Sequence, residues 1–157
     1  MENYYSSYYI KECNKLNLED LLQKDNWYKS YYSTEINIFV TESFQNSKLS
    51  SFVYYNTNNL TDQILNYHKV KYGTNIELAL IENLENGIKR TFYINNKISM
   101  YSIDIYIEEN ILKLRQEFNA NFELTEYCES IYNSERKLIN EKYFFADSWT
   151  IHLEKIQ

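Results

Sequence analysis

The chain has 157 residues, with 22 acidic against 16 basic side chains for a formal charge of −6, and it contains two cysteines, two glycines and no proline. At 44% hydrophobic and 17% aromatic it has the apolar surface for an ordinary core, which excludes disordered and collagen-like classes and fits one domain over 1–157. The acidic balance and only three arginines argue against nucleic acid as a partner, since phosphate binding needs clustered Lys and Arg.

In chain order, the first segment, MENYYSSYYIKECNKLN, lacks the basic and apolar blocks of a secretory signal and the arginines of a transit peptide. No apolar run approaches membrane-spanning length, so a soluble protein with no membrane partner is expected. Leu16, Leu18, Leu21 and Leu22, with Glu19 and Asp20 near the start and Asn17 as N-cap, predict a short helix over about 17–25. Beyond Trp27 the pattern alternates and is rich in β-branched and aromatic residues. Ile36, Ile38 and Val40, then Phe52 and Tyr54, then Ile76, Leu78 and Leu80, then Ile103, Ile105 and Ile107 read as strands.

Asn-rich turns separate these strands at intervals of roughly 10 to 16 residues, the spacing of short strands joined by tight hairpins. They are clearest in Tyr93-Ile-Asn-Asn-Lys-Ile98, Tyr106-Ile-Glu-Glu-Asn-Ile111, Phe118-Asn-Ala-Asn-Phe122 and Tyr132-Asn-Ser-Glu-Arg-Lys-Leu138. Weaker echoes occur at Phe44–Leu49, Tyr55–Leu60 and Asn83–Ile88. The stretch from Leu60 to His68 fits a helix and a strand equally. The 20 Asn, 17 Ile and 17 Tyr are also what an A+T-rich genome writes where physics leaves the choice open.

An antiparallel meander of about ten strands exposes two edges, and closure removes them. The expected fold is therefore all-β, an antiparallel up-and-down β-barrel of about ten strands with a short N-terminal helix and room for one small ligand. An open repeat sheet, of the kind used by bacterial interaction and immunity modules, is the alternative.

A helix, a Trp and a ten-strand meander resemble the S-type phycobiliprotein lyases of the lipocalin-like (calycin) superfamily. Trp27-Tyr28-Lys29-Ser30 resembles the family's entry into its first strand. His68-Lys-Val-Lys-Tyr-Gly73-Thr74 before Ile76–Ile81 resembles its His-x-Gly-Ser-Thr segment, and Gly87-Ile88-Lys89-Arg90 with Tyr93 its Gly-Lys-Leu-Leu-Arg turn. Leu112–Phe118 resembles its Thr-Glu-Tyr strand, followed by Glu126 and, ten residues later, Arg136. A second alignment places Thr125-Glu126-Tyr127 on that strand and Glu135-Arg136 on the Glu and Arg. The family's tryptophans of the second and third strands and the Pro of its Ser-Pro-Asn turn are absent here.

The resemblance implies a lyase that binds a bilin, phycoerythrobilin or phycocyanobilin, and attaches it to a cysteine of an apo-phycobiliprotein subunit in a plastid stroma, or otherwise in the cytoplasm. The bilin is then substrate, with no permanently bound cofactor, and the nucleophilic thiolate belongs to the acceptor, so neither Cys13 nor Cys128 is required. Glu126 is the expected catalytic carboxylate for the pyrrole nitrogens and Arg136 its partner or a propionate ligand. Arg90, Tyr54, Tyr55, Tyr106 and His68 are the expected ligand-binding residues, against surface or core roles for each. Two His and two Cys without close spacing offer no metal site. A carrier without catalysis, an interaction module and a homodimer stay open.

Overall fold

The structure, a computed structural model, describes residues 3–5, 25–108, 111–146 and 151–154. Residues 17–24 of the expected N-terminal helix lie outside them, and Asp25 is a bend entering the next strand. Among the described residues there are eleven strands and one helix. The strands are β1 (Asn3–Tyr5), β2 (Asn26–Ser33), β3 (Ile38–Gln45), β4 (Lys48–Tyr55), β5 (Glu77–Leu84), β6 (Gly87–Ile94), β7 (Lys97–Glu108), β8 (Ile111–Asn119), β9 (Leu124–Tyr132), β10 (Leu138–Phe145) and β11 (Ile151–Glu154). The helix is α1 (Thr61–Tyr72).

The protein is mostly β, as expected, but two features of the expected barrel are absent. The strands neighbour one another in chain order with β1 and β11 at the two ends, so the sheet is open and is not closed into a barrel. Nor is the meander wholly antiparallel. β4 and β5 pair in parallel, Ser51 opposite Glu77 through Tyr55 opposite Ile81, because α1 carries the chain back across the sheet between them.

The chain divides into two compact units, Met1–Glu82 with Phe92–Lys97, and Asn83–Thr91 with Ile98–Gln157. The first holds the apolar core. Val40, Tyr54 and Leu80 are cross-strand partners on one face, and Ile38, Phe52 and Leu78 share it; all six are buried. The helix lays Ile64, His68 and Tyr72 on this core at a spacing of four, which keeps them on one side of the helix. Asp62 in the first turn and Lys69 and Lys71 in the last complement its dipole, and Gly73 ends it at φ 84°. Lys71 also reaches Glu35 in the β2–β3 turn at 2.9 Å.

The turns account for part of the asparagine excess. Of the nine non-glycine residues at positive φ among the described residues, six are Asn, the side chain that best tolerates the left-handed region when glycine is scarce. Asn46-Ser47 and Asn95-Asn96 form two-residue hairpin turns with both φ angles between 49° and 60°. The β8–β9 and β9–β10 turns are built alike. Asn119 Oδ1 accepts from the amides of Asn121 and Glu123 at 2.9 and 3.1 Å, and Asn133 Oδ1 accepts from those of Glu135 and Lys137 at 2.9 and 3.0 Å. Each turn then places one residue, Phe122 or Arg136, in the left-handed region.

Candidate functional site

The expected catalytic pair is not brought together. Glu126 lies near the start of β9 and Arg136 in the turn beyond its end, so the six residue steps from Glu126 to Tyr132 alone span about 20 Å at the rise of an extended strand. The expected Tyr132–Leu138 turn is present between β9 and β10, but it holds Arg136 in the turn itself while Glu126 lies far down β9. Arg136 is exposed and pairs with Glu108 at 2.6 Å. Glu126 faces Glu117 across β8–β9; burial and this like charge push its carboxyl upward, against a smaller opposing pull from Arg115.

The expected ligand-binding residues fall in both units. In the first, Tyr54 and Tyr55 point to opposite faces of β4, as adjacent strand residues must, so they do not line one pocket. Tyr55 meets Thr41 Oγ1 at 3.4 Å. Tyr54 and His68 are fully buried, joined by a 2.8 Å hydrogen bond between the phenol oxygen and Nδ1. Burial lowers the His68 pKa, the main chain of Ile76 opposing it, which favours the neutral ring; His68 pins α1 to the sheet through Tyr54 and the edge-to-face contact with Phe52. It is a core histidine, neither a surface residue nor placed to protonate a ligand.

In the second unit Arg90 and Tyr106 do meet, around a residue that the sequence reading passed over. Asp104, 1% exposed, accepts from Arg90 Nη1 at 2.8 Å and from Arg115 Nε and Nη2 at 2.8 and 3.1 Å. The Tyr106 hydroxyl lies 3.5 Å from the same carboxylate. Burial alone would raise the Asp104 pKa, but Arg115 and Arg90 together hold it below the usual aspartate range. Two of the three arginines in the chain are thus spent on one carboxylate. A signal was present: Ile103-Asp104-Ile105 sets a charge inside an apolar strand, and a buried charge requires partners.

This cluster belongs to a face whose chemistry is inverted. Ser102, Asp104, Cys128 and Ser130 are the buried residues of β7 and β9, and all lie on one side. Glu117, Glu126 and Glu141 share that side. The other side is richer in apolar residues and only partly covered: Ile103, Gln116, Tyr127 and Phe144 form one cross-strand row, and Ile105, Leu114, Glu129 and Lys142 the next, with Glu129 exposed and the other seven half-buried. Tyr127 stacks on Phe144 at 4.2 Å and Phe118 on Phe122 at 4.6 Å, while Lys89 sits over the Tyr101 ring.

The arrangement offers little for covalent chemistry. Cys128 is buried, and burial raises its thiol pKa, which makes it a poor nucleophile. Among the described residues no group of three or more His, Cys, Asp or Glu is placed to hold a metal ion, and no helix is long and apolar enough to cross a membrane. No protein-family model matches this sequence, and no curated relative matches it.

Proposed function

We propose that this protein is a non-enzymatic interaction module that binds another protein chain through the apolar face of its second unit. The observation that carries this reading is the inverted sheet: the fully buried side chains of β7–β10 are Ser102, Asp104, Cys128 and Ser130, while the aromatic and aliphatic side chains on the opposite side stay partly open to water. Contiguous exposed apolar surface on a folded domain is the mark of a docking site. Bilin attachment, which the resemblance implies, relied on a closed cup around the pigment, and the open sheet removes that support.

Two tyrosines on opposite faces provide the test. Tyr127 lies on the apolar face, and Tyr143, opposite Cys128, on the polar one. A photo-reactive phenylalanine analogue at Tyr127 is expected to yield a protein–protein cross-link in cells, and the same analogue at Tyr143 is not. Equal cross-linking from both positions, or none from Tyr127, contradicts the reading. A sharpened, red-shifted visible band on mixing the purified protein with a bilin would restore the pigment alternative.

A further inference from the structure

We infer that the occupant of this face is a second copy of the same chain, docked sheet to sheet across a two-fold axis; the inference rests on the interaction reading and names its partner. The geometry sets the scale. Four strands, β7–β10, at about 4.8 Å spacing and eight residues of about 3.4 Å rise give a surface of roughly 500 Å² per copy. Two such faces bury about 1,000 Å², the lower bound of a specific interface. Aligned packing of two sheets through interdigitated apolar side chains is the ordinary way for a single-layer sheet to gain a second layer.

Charge selects the partner. The chain carries −6, so copies repel one another unless they meet where that charge is absent. Glu117, Glu126 and Glu141 are on the polar side, where a basic foreign protein would be drawn, while Asp104 there is buried and already neutralised by Arg90 and Arg115. The apolar side has Glu129 directly opposite Lys142, with Lys89 over Tyr101 at its margin. An isologous contact therefore presents each copy's Glu129 and Lys142 to the same pair on the other, a self-complementary pattern. Ile103, Ile105, Leu114, Tyr127 and Phe144 supply the apolar contact between them.

Sedimentation equilibrium of the full chain tests the inference. The expected mass is twice 19.1 kDa at micromolar concentration. Gln116, between Ile103 and Tyr127 in the central row, is polar, so Gln116→Arg removes no core packing yet sets like charges face to face. It is expected to raise the dimer Kd roughly ten-fold or more, with the far-UV circular dichroism unchanged. Glu117→Arg, on the other side, is expected not to weaken the dimer. Added salt is expected to leave wild-type association unchanged or stronger, because it screens the repulsion between acidic copies without weakening apolar contact. A monomer at every concentration overturns the inference, as does a dimer that salt dissociates or that Glu117→Arg weakens and Gln116→Arg does not. A monomer whose Tyr127 position still cross-links to a different protein overturns this inference alone and leaves the interaction reading standing.

Discussion

Arg115 stands directly across β7–β8 from Asp104 and grips both oxygens of its carboxylate, while Arg90 closes on Oδ2 at 2.8 Å. The arrangement ties β6 and β8 to β7 from the side of the sheet where the side chains are buried. Asp104→Asn would leave two guanidinium groups without their counter-charge. Breaking a buried ion pair costs about 3–5 kcal/mol, and the water that reaches Arg115 places this case near about 3 kcal/mol. Urea unfolding measures it; a loss under about 1 kcal/mol would show that the cluster is not a structural tie.

Acid should act on the first unit through His68. Its folded pKa is lowered by burial, so below the ordinary histidine value of about 6.5 the unfolded chain binds a proton that the folded ring refuses. Stability is therefore lost as pH falls from about 6.5 towards the lowered folded value. His68→Gln, which keeps an acceptor for the Tyr54 hydroxyl, should lower the stability at pH 7 and flatten this slope. Urea midpoints for both proteins at neutral and mildly acidic pH would read it, and an unchanged slope in the variant would contradict the assignment.

Gly87 opens β6 beside the main chain of Asp104, and a Cβ built there would overlap the Asp104 carbonyl oxygen. Rigid backbone cannot yield as a flexible side-chain tip can. Gly87→Ala is expected to destabilise the protein by about 1–3 kcal/mol, the range for an overpacked site, even though alanine is the better strand former. A neutral substitution in thermal melts would refute the close approach.

Arg136 occupies a left-handed turn position at φ 61°, which costs a non-glycine residue about 1–2 kcal/mol. Its exposed pair with Glu108 returns at most about 1 kcal/mol. Arg136→Gly should therefore leave the protein at least as stable as before. A drop of more than about 1 kcal/mol in unfolding free energy would assign Arg136 a role that the geometry does not give it.

Alternation made the strands legible, and the paired Asn residues made several turns legible, because period two and positive φ are local properties. Closure was not local. Ile103, Ile105 and Ile107 alternate identically in a barrel and in an open sheet, and only edge pairing separates the two. The parallel β4–β5 pair depended on reading Thr61–Tyr72 as a helix, where Thr61, Asp62 and the apolar spacing were compatible with both forms. Which face of β7 is buried was also beyond the sequence, since convention puts Ile103 and Ile105 inward and Asp104 outward, whereas Asp104 is buried and the two isoleucines are half-buried. Side-chain neighbours follow the same rule: Glu126 and Arg136 share a spacing of ten yet lie apart, whereas Asp104 and Arg115 are joined by register.

The central claim, that the apolar side of the second unit is the more open one and that Ser102, Asp104, Cys128 and Ser130 are buried behind it, is tested most directly by thiol labelling. With Cys13 and Cys128 replaced by serine and Gln116→Arg holding copies apart, single cysteines are placed at the neighbouring positions Ser102 and Ile103. Ile103→Cys is expected to react at least about ten-fold faster than Ser102→Cys, as a thiol in contact with water does beside one that reacts only through local opening. Equal rates, or faster labelling at Ser102, would contradict the inverted sheet and the docking surface built on it.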